Sequence, residues 1–287
     1  MKRERYLAYL FVFPALGLFL LFRLGPLIGG SIFSFADWNG ITPPRWIGLG
    51  NYFELAADPV FQNTMLNTVR VLLSLPLWVA LPLLLAIFIH LGVPGARFYR
   101  AAYFFPIVLS SIIIGTMFSI IMRYDGTLNA LLQAMHLEPL DWLGNQRYAL
   151  FAVVTVAIWA HFGMAVLIFM SGLTTLPTEV IEAARVDGAN LRQIIFLVII
   201  PMLRSTIEFV AVITTITMLT SMFGLIYVMT GGGPGTATYM PEFLIWMMQG
   251  DSNRLGYASA MSLVLFVVVG FIGVMQIRMM RGTGDDR

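Results

Sequence analysis

The chain has 287 residues, of which 59% are hydrophobic and 11% charged, with a formal net charge of +2 and a mean hydropathy of +0.84. A soluble domain carries about 25% charged residues, so this composition excludes a water-soluble core-and-surface protein, a disordered chain and a nucleic-acid-binding module. There are no cysteines, which removes thiolate metal sites, disulfides and cysteine nucleophiles.

Stretches without Asp, Glu, Lys or Arg lie at 6–22, 71–96, 101–122, 148–178, 209–241 and 255–277, and only Arg23 interrupts the apolar continuation of the first toward Ala36. A spanning helix needs about 20 mainly apolar residues. The runs therefore predict an all-α membrane protein, a single transmembrane domain over 1–287 with six transmembrane helices at about 7–36, 70–92, 101–122, 148–173, 206–230 and 256–278. Arg23 lies about 24 Å of helix beyond Leu7 and is expected to snorkel toward the far interface. The start, MKRERYLAYLFVFPALGLFLLF, has an apolar stretch longer than a signal-peptide core and no small-x-small cleavage site, so it is expected to be an uncleaved anchor.

Six spans place both termini on one side. The basic residues on that side number 11, against five on the other, and this bias predicts cytoplasmic N and C termini and a cytoplasmic 174–204 segment. Between the spans, Asn39-Gly40 and Pro43-Pro44 signal turns, Leu128 to Met135 predicts a short surface helix, and Gly231 to Gly235 breaks the chain after the fifth span.

Little enzymatic chemistry is available. Lys2 is the only lysine, so no G-x-x-x-x-G-K-[ST] phosphate loop exists and the chain binds no ATP of its own by that route. His90, His136 and His161 show no paired metal-ligand spacing. Ser110, Ser111 and His161 permit a serine hydrolase only in principle, and Ser or Thr within spans more commonly hydrogen-bonds helix carbonyls.

The segment LTTLPTEVIEAARVDGANLRQIIFLVIIPMLRS between spans four and five is the informative one. Pro177 and Thr178 supply a helix start, with Glu179 and Glu182 in the first turns where the macrodipole favours anions. Asp187-Gly188 supplies a stop, and a second helix begins near Asn190 and runs to Pro201. The expected shape is a short surface helix, a bend at Gly188 and a helix returning to the bilayer. Ala183 and Ala184 leave room for a partner's groove, while Glu182 and Asp187 set register.

The pattern E-A-A-x-x-D-G-A at Glu182 to Ala189, with Phe196 and Pro201 after it, resembles the EAA loop of binding-protein-dependent ABC importer permeases. The whole chain is similar to their carbohydrate-uptake branch. Supporting segments are Phe13-Pro14-Ala15, Asp37-Trp38-Asn39-Gly40, Gly48 to Tyr52, Leu66-Asn67-Thr68, Arg97-x-x-Arg100, Thr230 to Pro234 and Gly256 to Ala260. Val198 to Ser205 departs from the family's I-x-L-P-x-L-x-P.

The resemblance implies a type I ABC importer permease-like bundle in a bacterial or archaeal cytoplasmic membrane. It is expected to be a transport subunit rather than an enzyme, translocating a sugar delivered by an extracytoplasmic solute-binding protein. A second homologous permease and two ATPase subunits, which hold the ATP and Mg, would be its partners; this chain itself would hold no cofactor and no metal. Glu182, Ala183, Ala184, Asp187, Gly188 and Ala189 would couple to the ATPase. Trp159 and His161 with Phe162 in span four, and Thr214, Thr215, Thr217 and Ser221 in span five, are the candidate substrate pathway, with 214, 217 and 221 sharing one helical face. Glycerol phosphate or a polyol is the alternative solute, and a secondary transporter the alternative class.

Overall fold

The computed structural model describes residues 12–92, 95, 103–250 and 252–282. The expected basic residues Lys2, Arg3, Arg5, Arg97, Arg100 and Arg287 lie outside them. In chain order the elements are α1 (Val12–Phe33), the short strands β1 (Ala36–Asp37) and β2 (Arg45–Trp46), α2 (Gly50–Ala57), α3 (Pro59–Leu72) and α4 (Leu75–His90). There follow α5 (103–108), α6 (Ser111–Ile121), α7 (Thr127–Ala134), α8 (Ala149–Leu173), α9 (Thr178–Val186) and α10 (Leu191–Met202). The last four are α11 (Arg204–Thr220), α12 (Phe223–Met229), α13 (Pro241–Gly250) and α14 (Leu255–Gly282). The molecule is a predominantly helical membrane protein. Among the described residues, four helical stretches are long and apolar enough to cross a bilayer, and a fifth forms if the pair α10 and α11, bent by 71°, is taken as one.

Two compact units make up the chain, one from Met1–Gln62 with Leu244–Val268, the other from Asn63–Phe243 with Val269–Arg287. In the first, α1 carries a π-helical turn at Leu20–Leu24 that contains Arg23, and no residue of its apolar window is fully buried. Such a helix needs lipid or another subunit for its surface. Arg23 lines a recess together with Gln249, Ser259 and Ser262. β1 and β2 pair antiparallel with Ala36 opposite Trp46, and Arg45 bonds Asp37 at 2.8 Å.

The motif segments at 37–40, 48–52 and 256–260 come together in this unit. The buried Asn51 amide donates to the Ser34 and Ala36 carbonyls at 2.8 and 2.9 Å. Gly256 donates its N–H to the Trp38 carbonyl at 3.0 Å and lies so close to Ala36 that any side chain would run into its carbonyl. Tyr257 donates to Asp58 at 2.8 Å and Arg254 bonds Glu54 at 2.6 Å.

In the second unit α4 packs along α8, and α11 packs on both. The core is apolar, with Ala86, Ile87, Val166, Phe169, Leu173 and Ile199 all fully enclosed. Small residues set the close approaches, as expected where lipid gives helices no hydrophobic incentive to pair. Gly163 admits the α5 backbone at Tyr103, and Gly115 on α6 admits Leu225 and Val228 of α12.

Two of the six expected spans are interrupted. The run at 101–122 breaks at Leu109 and Ser110, whose hydroxyl caps α6 by accepting the Ile113 N–H at 3.4 Å. The run expected as one helix over 206–230 divides at Ser221 into α11 and α12. Glu242 is the physical reason for the second break. Its carboxylate accepts the Met222 and Phe223 N–H groups at 3.3 and 3.1 Å, satisfying donors that a new helix start leaves open. The second span also begins earlier than expected, with α3 and α4 together covering Pro59–His90 around a turn at Leu73 and Ser74.

Candidate functional site

The segment expected to couple has the expected local shape. Pro177 precedes α9, and Gly188 takes φ +81°, the left-handed conformation that ends the helix. The Asp187, Gly188 and Ala189 N–H groups bond back to Ala183, Arg185 and Ala184 at 2.9, 3.1 and 2.9 Å. Asn190 and Gln193 then form a reciprocal capping box at the start of α10, with bonds of 3.0 and 2.8 Å.

One side of α9 is fastened and the other is free. Ile181 is only 6% exposed and belongs to the same core as Val166, Phe169 and Leu203, with Ala184 and Ala189 half-buried against it. Glu182, Ala183, Asp187 and Gly188 are exposed, and Val186 is 87% exposed. The exposed Val186 next to Asp187 was not singled out from the sequence, although an apolar residue on the acidic side of an amphipathic helix was the available signal.

The six expected pathway residues separate. His161, Thr214 and Thr217 line one recess of about 60 Å³ together with Trp78 and Phe162. His161 stacks on Trp78 with ring centroids 5.8 Å apart, and Trp78 is held by its indole N–H to Ser74 Oγ at 3.0 Å. The His161 Nε2 is buried without a hydrogen-bond partner among the described residues, a polar atom that a hydroxyl or a water would satisfy. The Thr217 hydroxyl donates to the Ile213 carbonyl at 3.0 Å and keeps acceptor capacity.

Trp159, Thr215 and Ser221 lie elsewhere. Trp159 is two residues from His161, about 200° around the helix, and packs edge-on against Phe118 at 5.2 Å. Thr215 is 2% exposed and accepts the Gln276 amide at 2.9 Å, so its hydroxyl joins α11 to α14. Ser221 lies past the end of α11 with φ −138°, off the face shared by 214 and 217. Trp78 was missed because it lies in a different apolar run, where nothing in the sequence marks its pairing with His161. At about 60 Å³ the recess holds roughly two waters, so in this conformation it is closed to a sugar ring.

The loop after α12 is clamped from α3. Asn67, fully buried, donates to the Thr236 and Tyr239 carbonyls at 3.1 Å each, and Asn63 one turn earlier donates to the Thr236 carbonyl at 2.9 Å. The Thr230 and Thr238 hydroxyls bond each other at 2.7 Å.

Comparison with known proteins agrees with this architecture. The chain is 33% identical over 292 residues to the probable ABC transporter permease protein YurN of Bacillus subtilis, covering 99% of each. It is 31% identical over 280 residues to the multiple sugar-binding transport system permease protein MsmF of Streptococcus mutans, covering 96% of each. Its fold matches a chain of the bacterial alginate ABC transporter solved in complex with its alginate pentasaccharide-bound periplasmic protein, with TM-score 0.86 and 21% identity over 98% of this chain and 96% of that one. Residues 47–280 match the model of the binding-protein-dependent transport system inner membrane component. A chain with this fold, these apolar helices and this match belongs to the family of inner-membrane permease components of binding-protein-dependent transport systems.

Proposed function

We propose that the chain is one of two permease subunits in an ATP-driven carbohydrate importer, fed by an extracytoplasmic solute-binding protein and powered by two ATPase subunits. The observation that carries this reading is the two-sided coupling segment. Ile181 roots α9 in the membrane core, while Glu182, Ala183, Val186 and Asp187 face outward without a contact of their own to bury Val186. An acidic helix with exposed Val180 and Val186 fits a partner's groove, and a rigid root turns movement of that groove into movement of the bundle.

In this reading the interrupted run at 101–122 completes six spans, both termini are cytoplasmic, and the membrane is a bacterial or archaeal cytoplasmic membrane. The sugar-binding relatives support a carbohydrate, and so does the chemistry of the inner recess. Trp78 offers an aromatic face, and His161 Nε2 and the Thr214 and Thr217 hydroxyls offer hydrogen bonds. Alternating access would widen this recess around the sugar.

The test is uptake by the complete importer in proteoliposomes. Glu182→Arg is expected to abolish uptake while the permease pair still assembles. Thr217→Val is expected to raise the solute concentration needed for half-maximal uptake at least fivefold with little change in thermal stability. Unchanged uptake by Glu182→Arg would refute the coupling role, and a purified chain conducting ions without an ATPase would refute the class.

A further inference from the structure

A second recess, of about 390 Å³, lies in the same unit and is lined by Arg70, Ser74, Gln146, Arg147, Phe151 and Val154, among others. Its position relative to the inner recess follows from two helices. On α8, Val154 of this recess precedes Ile158 of the inner one by a single turn, and His161 follows. At the start of α4, Ser74 of this recess accepts the indole N–H of Trp78, which lines the inner one, at 3.0 Å. The larger recess is therefore a vestibule one helical turn from the closed recess, and a single hydrogen bond joins their walls.

Its electrostatics are one-sided. Two guanidinium groups line it, no carboxylate does, and neither arginine has an ion-pair partner among the described residues. Arg70 is aimed by a 2.9 Å bond to Asn67 Oδ1, and Asn67 is itself pinned by the carbonyls of Thr236 and Tyr239. Arg147 stands two residues before α8, a 25-residue helix whose positive dipole end faces the same region. Two like charges and a helix N-terminus around one concavity repel one another until an anion enters. Guanidinium groups suit planar oxyanions because their N–H groups donate in parallel pairs. The remaining wall, with the Ser74 hydroxyl, the Gln146 amide and the Phe151 ring, suits the hydroxyls and the apolar face of a sugar. The volume is in the range of small-ligand pockets.

We propose that this vestibule binds the anionic group of an acidic saccharide, a carboxylate or sulfonate, and so selects the solute before it reaches the inner recess. The inference rests on the carbohydrate-importer reading and adds the solute's charge. Arg70 and Arg147 hold the oxyanion; Ser74 and Gln146 bond the ring hydroxyls. The concave shape commits the site to a small solute rather than to an acidic surface of the binding protein.

The complete importer in nanodiscs tests this by calorimetric titration with digalacturonate, maltose and sodium sulfate. Digalacturonate is expected to bind, with affinity falling at least tenfold in Arg70→Gln and in Arg147→Gln and also falling between low and high salt. Sulfate is expected to compete, and maltose is not. Equal binding of maltose, or digalacturonate binding unaltered in the double variant, would overturn the proposal. So would a double variant in which the loaded binding protein no longer stimulates ATP hydrolysis whatever the charge of its sugar, because the arginines would then be a protein-docking surface. If the unsubstituted importer takes up a neutral sugar but does not bind digalacturonate, the importer reading stands and the anion site falls. Thermal unfolding of each variant shows that lost binding is not lost folding.

Discussion

The Glu242 carboxylate accepts the backbone N–H of Phe223 at 3.1 Å, joining the helix that follows the glycine-rich loop to the point where the fifth apolar run breaks. Burial pushes this carboxyl up to about 7, against the Met222 and Phe223 N–H groups, which pull it down. A carboxyl that holds its proton more tightly when folded makes the fold most stable below its ordinary value of 4.5. That contribution is lost as pH rises toward about 7 and is level above it. Thermal unfolding of the assembled permease is expected to follow this course between pH 5 and 8. Glu242→Gln, neutral throughout and still an acceptor, should flatten it; an unchanged pH profile in that variant would contradict the assignment.

Gly188 has no atom within 4 Å of where a side chain would begin, but its φ is +81°. Gly188→Leu therefore meets no steric clash and costs only the left-handed backbone, about 1–2 kcal/mol. The expected outcome is an importer that assembles and hydrolyses ATP yet takes up little solute. The ratio of solute imported to ATP consumed is the measurement, and a wild-type ratio would refute coupling through α9.

Gly256→Val drives a side chain into the Ala36 carbonyl, and overpacking of this kind costs about 1–3 kcal/mol. Gly270→Val on the same helix meets nothing within 4 Å and is expected to change stability by no more than about 1 kcal/mol. Comparing the unfolding temperatures of the two variants separates close packing from a general intolerance of α14 to valine.

Asn67→Asp keeps an acceptor for Arg70 but removes the amide that serves Thr236 and Tyr239. The Thr236 carbonyl keeps its Asn63 donor, whereas the half-buried Tyr239 carbonyl loses the Asn67 amide, and leaving such a group unpaired costs about 1–3 kcal/mol. Faster proteolytic cleavage within 231–240 and a lowered unfolding temperature are expected. Resistance equal to wild type would mean that the Asn63 bond alone holds the loop.

The long apolar helices and the bend of the 174–204 segment were legible in the sequence for different reasons. Lipid exposure and helix burial both demand apolar residues, so charge-free runs coincide with the long apolar helices. The bend of the coupling segment is local: Pro177, Gly188 and the Asn190–Gln193 pair each act within a few residues, and local chemistry is what a linear string records. The same uniform hydrophobicity concealed where helices stop, because a run that is apolar on every face has no periodicity to lose at Ser110 or Ser221.

What the sequence by itself determined was a six-run membrane chain with no phosphate-binding loop and one acidic, glycine-broken segment available to a partner. Tertiary structure decided which polar groups meet. It brought Glu242 to the break 20 residues before it, brought Trp78 to His161, and set Arg70 and Arg147 around one recess. Each of these pairings joins segments far apart in sequence, and helix contact in a bilayer depends on small residues and close approach rather than on any pattern within one helix.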